Sequence, residues 1–272
     1  MKKIALTSLL AMLAVSGAGA ANVIDGNPIY MPKAGHFYSV TSVDTSSNNV
    51  DVFDFGEHLG VGITDWWTFE IGTSVVADDW FFSTQWDDLN VNTTIRFVDN
   101  TNWKWDLMAG YNVSPILASG GHHFLHGSFM GNEDTEYVWS YGLRAGYTSG
   151  ALTIAGHAMT DYINSEMFNW RTKGWHMLRA GIDAQYVLSD EWNVVAGAEY
   201  KKSLNLYNKE LGEWTVTFGA NYNIDETKFV GVYVSKDIQH IHDKKIIDGE
   251  VQDGYWEIQD GFGIGARFGI DF

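Results

Sequence analysis

The chain has 272 residues, no cysteine, 3 prolines, 29 glycines and 12 Trp, 13 Tyr and 15 Phe, and its 34 acidic residues against 17 basic ones give a formal charge of -17. Without cysteine there is neither a disulfide scaffold nor a thiolate metal site. An acidic balance with scattered lysines argues against nucleic acid as a partner, because nucleic acid calls for a basic stripe.

At the amino terminus, Lys2 and Lys3 form a positive n-region and Ile4 to Val15 a short apolar run, and Ala18-Gly19-Ala20 supplies small residues for cleavage. This pattern predicts a signal peptide over residues 1–20 and a single mature domain over 21–272. The run is too short for a membrane-spanning helix, and no later segment approaches twenty apolar residues. Removing Lys2 and Lys3 leaves 15 of the 17 basic residues against 34 acidic ones, a formal charge of -19.

Twelve segments of alternating character follow, at roughly 35–44, 50–64, 66–76, 89–98, 103–113, 136–147, 152–162, 175–188, 192–201, 213–224, 228–236 and 255–272. Period two with one apolar face is the mark of a strand with one dry side. The sixth segment sets Tyr137, Trp139, Tyr141, Leu143, Ala145 and Tyr147 against Val138, Ser140, Gly142, Arg144 and Gly146. The tenth sets Trp214, Val216, Phe218, Ala220, Tyr222 and Ile224 against Thr215, Thr217, Gly219, Asn221 and Asn223. Connectors also alternate. Short ones fall at Thr64-Asp65, Asp99–Asn102, Thr148–Ala151, Ser189–Glu191 and Asp225–Thr227, and longer ones at 77–88, 114–135, 163–174, 202–212 and 237–254.

The last segment, Phe262-Gly-Ile-Gly-Ala-Arg-Phe-Gly-Ile-Asp-Phe272, alternates strictly and ends on an aromatic residue. It resembles the terminal strand of bacterial outer-membrane β-barrels, in which Phe268, Ile270 and the final Phe272 would serve as an assembly signal. The resemblance implies an all-β transmembrane antiparallel up-and-down barrel of about twelve strands in the bacterial outer membrane, with both termini periplasmic. Lipid, lipopolysaccharide and the outer-membrane assembly machinery would be its partners. Barrels of this kind have short periplasmic turns, longer outer loops and aromatic girdles at both interfaces. That places Trp66, Trp67, Trp103, Tyr147, Tyr186, Trp192, Tyr222 and Phe272 near the periplasmic interface.

Inward positions carry charge. Glu70, Arg96, Lys104, Asp106 and Arg144 fall near the short turns, with Arg267 at similar height, and Arg179, Asp183, Glu199 and Lys201 lie further along. Such a ladder of opposite signs is either a charge-selective constriction or a salt-bridge network that stiffens a closed barrel. The first alternative predicts a narrow, porin-like channel for passive diffusion of small hydrophilic solutes, with no cofactor. The second leaves function to the long loops, as a surface-binding or structural barrel acting through Phe124, Phe129 and Met130.

His122, His123 and His126 in one loop, and His240 and His242 in another, are weak candidates for a divalent metal. Acidic loop residues, among them Asp78, Asp79, Asp87, Asp88, Glu133, Asp134, Asp243 and Asp248, would form a hydrated outer rim that attracts cations. Ala77-Asp-Asp-Trp80 is somewhat similar to the acidic loop of omptin surface proteases. The first aspartate of that family is replaced by Ala77, and no Asp-x-His follows in 161–174, so an enzyme is not expected. A lipid-hydrolysing barrel would need a Ser–His pair on its lipid side, and His157 has no inferable nucleophile.

Overall fold

The computed structural model describes residues 27–46, 49–78, 83–115, 135–164, 174–204, 209–243, 245–247, 250–252 and 256–272. Twelve strands form a closed barrel: β1 (Phe37–Ser46), β2 (Asn49–Thr64), β3 (Trp67–Asp78), β4 (Ser83–Asp99), β5 (Trp103–Pro115), β6 (Thr135–Ser149), β7 (Leu152–Asn164), β8 (Gly174–Val187), β9 (Trp192–Ser203), β10 (Lys209–Asp225), β11 (Lys228–Asp243) and β14 (Trp256–Asp271). Two short strands, β12 (Lys245–Ile247) and β13 (Glu250–Gln252), form a separate ribbon between β11 and β14. Every barrel pairing is antiparallel, and the sheet closes where β1 meets β14, from Tyr38 opposite Asp271 to Ser46 opposite Gly263.

The connectors at one end are built from turn chemistry. Asn100 Oδ1 accepts from the backbone N–H of Asn102 (3.1 Å) and Trp103 (2.8 Å). Asp225 Oδ1 accepts from the Thr227 N–H at 2.8 Å. Short polar side chains that hydrogen-bond the backbone two residues on reverse the chain cheaply. Gly150 supplies the left-handed residue (φ 57°) between β6 and β7. This is the short-turn end of the barrel, and the longer connectors lie at the loop end.

Burial is inverted relative to a water-soluble domain. Val232 is 62 % and Phe218 57 % exposed on the outer face, whereas Asp106 and Asn221 are 0 % exposed inside. Such a surface suits hydrocarbon outside and a polar interior. Two aromatic girdles bound the apolar band. Trp103 packs on Tyr147 (4.9 Å between ring centres) and Trp192 on Tyr222 (5.0 Å) towards the turns. Tyr111 packs on Trp139 (4.3 Å) and Tyr200 on Trp214 (4.8 Å) towards the loops. The alternation read from segments six and ten is the observed one.

The strands run further towards the loop end than periodicity predicts. β4 begins at Ser83 instead of residue 89, β10 at Lys209 instead of 213, and β11 continues to Asp243 instead of stopping at 236. Beyond the apolar band both faces of the sheet meet polar surroundings, so hydrophobic alternation fades while the backbone ladder continues. Asp88 is therefore not a loop residue; it is a lumen residue, 8 % exposed, on β4. Asp237, His240 and His242 likewise belong to β11 and not to an outer loop. The predicted loop residues His122, His123, His126, Phe124, Phe129, Met130, Glu133 and Asp134, and the signal segment 1–20, lie outside the described residues.

Candidate functional site: the barrel lumen

Cross-strand register decides which inward side chains meet. Asp106 on β5 stands directly opposite Arg96 on β4 and Arg144 on β6. Its carboxylate is gripped from both sides. Arg96 Nε donates to Oδ1 at 2.8 Å, and Arg144 donates to Oδ2 through Nε (2.9 Å) and Nη2 (2.7 Å). All three are buried. A buried carboxylate needs such compensation, because desolvation otherwise outweighs its attraction to a distant charge.

The other residues predicted for this height are placed differently. Glu70 accepts a hydrogen bond from the buried Tyr38 hydroxyl on β1. Lys104 pairs with Asp99 at the turn-end rim, outside the triad, because it lies two residues nearer the turn than Asp106. Arg267 is on another part of the wall. Its Nη2 donates to Asn221 Oδ1 at 2.9 Å and its guanidinium lies 5.6 Å from the centre of the Phe229 ring.

Further from the turns, a second network crosses β6 to β11. Arg179 binds Asp161 through Nε (2.6 Å) and Nη2 (2.9 Å), and Ser140 donates to the same carboxylate at 2.6 Å. His157 bridges Glu199 (Nε2, 2.9 Å) and Asp183 (Nδ1, 3.4 Å). Lys201 lies 3.2 Å from Glu213 and 3.6 Å from Glu199, and Gln239 donates to Glu213 at 2.9 Å. Arg179, Asp183 and Glu199 thus belong to one network, together with Asp161, His157 and Glu213. Inward alternation could have flagged Asp161, but Glu213 sat at the edge of its predicted segment. His157 points into the lumen and not towards lipid, so it cannot form the lipid-side pair that a hydrolase would need.

Next to Arg179 on the loop side, Val138, Ile163, Trp175, Met177, Leu211 and Ile241 form a buried apolar cluster on the inner wall. The loop-side part of the β1 to β5 wall is different. Asp88 accepts from Ser74 (2.7 Å), Asn112 (2.7 Å) and Asn90 (3.3 Å), and Asp44 accepts from Tyr233 (3.1 Å). Asp44 also stands directly opposite Asp54.

Several large inward side chains lie flat against the wall instead of crossing the bore. A Cβ on Gly60 would overlap the Tyr38 ring, one on Gly265 the Tyr233 ring and one on Gly269 the Phe229 ring. Glycine on the neighbouring strand gives each ring a place to rest, so its area is buried against backbone.

Among the described residues no group of three or more His, Cys, Asp or Glu side chains is arranged to hold a metal ion. His240 lies on the outer face of β11, and His242, 6 % exposed, has Nδ1 3.8 Å from Glu210.

No protein-family model matches the sequence, and no curated protein does either. Among solved structures, the KdgM porin shares the architecture with a TM-score of 0.52, at 10 % identity over 85 % of this chain and 97 % of that one. The translocator domain of the autotransporter NalP from Neisseria meningitidis does so with a TM-score of 0.53, at 13 % identity over 98 % of each chain. At such identities the likeness is one of fold. Closed topology, inverted burial and paired aromatic girdles agree with it: the chain has the fold of the outer-membrane β-barrels, with twelve antiparallel strands.

Proposed function

We propose that this barrel is a narrow channel through which small hydrophilic solutes diffuse passively, with a preference for cations, and that it is not an enzyme. Barrels of this fold serve as porins and as translocators, so the lumen has to carry the reading. The observation that carries it is the seating of Tyr38, Tyr233 and Phe229 on glycines of the adjacent strand, which packs these rings along the wall of a twelve-strand barrel. The cation preference follows from the inner wall. Asp44, Asp54, Glu70, Asp88, Asp99, Asp106, Asp161, Asp183, Glu199, Glu213, Asp237 and Asp271 face inward, against Arg96, Lys104, Arg144, Arg179, Lys201 and Arg267. An excess of carboxylates in a low-dielectric conduit raises the local cation concentration.

In this reading residues 1–20 are a cleaved export signal, the short-turn end faces the periplasm with both termini, and the loop end faces lipopolysaccharide. Reconstitution of residues 21–272 in planar bilayers under a KCl gradient tests it. Discrete current steps with a cation-selective reversal potential are expected. No current at any voltage, even after the amino-terminal segment 27–33 is deleted, would reject the channel.

The carboxyl terminus supports recognition by the assembly machinery. Phe272 closes the barrel through two backbone bonds to Phe37 (2.7 and 2.8 Å), and its ring, 66 % exposed, stacks on Phe37 at 6.2 Å. Phe268 and Ile270 lie below it on the same outer face. At the membrane interface this ring is only partly transferred from water, so it contributes less than the ~1.5–3 kcal/mol of full transfer. Phe272→Ala should therefore lower outer-membrane levels in cells far more than refolding yield in detergent. Equal losses in both would make Phe272 a packing residue only.

A further inference from the structure

The chain ahead of β1 does not lead away from the barrel. Pro28, Ile29 and Pro32 are buried, with Ile29 only 3 % exposed. Arg96 Nη2, the arm of the triad not fully used by Asp106, donates to the Ile29 carbonyl at 2.6 Å. Tyr30 donates to Asp271 at 3.0 Å and sets its ring edge-on to Tyr38, 5.9 Å between centres. Gly146, an inward residue of β6, has no Cβ where the Ile29 side chain sits. The segment therefore touches β1, β4, β6 and β14, which lie around the bore, so it occupies the lumen mouth at the short-turn end. The space left beside it, about 400 Å³, is lined by Tyr30, Lys33, Asp65, Arg96, Asp99 and Lys104.

The way it is held separates it from the wall. Prolines at 28 and 32 cannot add a continuous rung to the sheet, since each lacks an N–H. Among the described residues its link to the ladder is at the rim, where Ala34 bridges Gly62, Gly35 donates to the Gly62 carbonyl at 2.7 Å and Ala34 donates to Asp65 at 3.0 Å. Gly35 at φ 78° turns the chain there, with His36 N–H donating to the Lys33 carbonyl at 3.0 Å. The fold thus provides a turn at 33–36 held to the rim and, beyond it, a short arm that lies against the wall without joining the ladder.

We propose that Asn27–Lys33 is a resident plug: seated as described it obstructs the turn-end mouth, and conduction requires it to swing out about the Lys33–His36 hinge. This rests on the channel reading above.

The geometry supplies its own lock. A Cβ placed on Gly146 would lie 3.4 Å from the Ile29 Cβ, close to the usual separation in a disulfide, and the chain has no other cysteine. The double substitution Ile29→Cys with Gly146→Cys should cross-link on oxidation. Single-channel current should then fall to the baseline, and reduction by dithiothreitol should restore it. A chain lacking 27–33 should conduct more often than the intact one and should not respond to oxidant. Heat-modifiable migration on gels checks that each variant has folded.

If the oxidised pair conducts as the reduced pair does, with the cross-link confirmed by mass, the plug is overturned. Failure of the thiols to join in a folded barrel also overturns it, because the seat would be elsewhere. Silence from every form, including the deletion, sinks the channel reading itself and not the seating.

Discussion

The two sides of the lumen hold buried carboxylates in different ways. Strands β1 to β3 contain no lysine or arginine, and among their inward acids Asp44 and Glu70 accept hydrogen bonds from tyrosine hydroxyls. Asp88 on the adjoining β4 accepts from serine and asparagine side chains. Between β4 and β10, by contrast, Asp106, Asp161, Glu199 and Glu213 each face a guanidinium or ammonium group within 4 Å. Neutral donors satisfy oxygen lone pairs without cancelling charge, so the first wall keeps a negative field. Ion pairs cancel charge and fix geometry, so the second wall is stiff and near neutral. The same inward acid residue thus has two outcomes, and the neighbouring strand decides which.

The contrast is tested most severely at Asp106. Asp106→Ala would leave Arg96 and Arg144 buried and facing each other, and should destabilise the refolded barrel by about 3–5 kcal/mol, the usual effect of stripping one partner from a buried ion pair. Urea unfolding in detergent, followed by tryptophan fluorescence, measures it. A shift near zero would mean that water already screens this network and that the stiff wall is a misreading.

A smaller effect is expected at Asp161, because Arg179 retains Glu199 at 3.9 Å. Asp161→Asn keeps the shape and an acceptor for Ser140 and Arg179, so a loss of about 1–3 kcal/mol is expected from the weakened charged hydrogen bonds. A loss as large as at Asp106 would show that the Glu199 contact contributes nothing.

On the other wall, Asp44→Asn should change stability by less than about 1 kcal/mol, since the amide oxygen can still accept from Tyr233. It also relieves the like-charge pairing with Asp54, which stands directly opposite. Its consequence should appear in transport, as a reversal potential moved towards zero in a KCl gradient. A large loss of stability with unchanged selectivity would reverse the roles assigned to the two walls.

Much of the barrel is legible in the residues. The strict alternation of 103–113, 136–147 and 213–224 reports a sheet with one apolar face, because side chains at successive positions of a strand point to opposite sides. Asparagine, aspartate, serine and glycine at the short connectors report their turns, for those residues reverse the backbone locally. The outward girdle residues and the terminal Phe272 are likewise local signals. Arg96, Asp106 and Arg144 could be placed at one depth by counting residues from adjacent turns, since hairpin geometry ties depth to sequence.

What needed the tertiary structure is whatever depends on strands far apart in the chain or on polar surroundings on both faces. Lys104 and Arg267 group with the triad by approximate depth, but register sets Lys104 opposite Asp99, two residues nearer the turn, and Arg267 on a distant strand. Asp88, Asp237, His240 and His242 read as loop residues because the pattern fades beyond the apolar band, although the hydrogen-bond ladder does not. Tyr38 meets Glu70 two strands away, Tyr233 meets Asp44 across the closing seam, and Ile29 meets Gly146 more than a hundred residues later. Nothing in the composition of Asn27–Lys33 marks it as a lumen segment. Only closure of β1 against β14 brings the walls around it, because a ring of strands creates an inside that no single hairpin has.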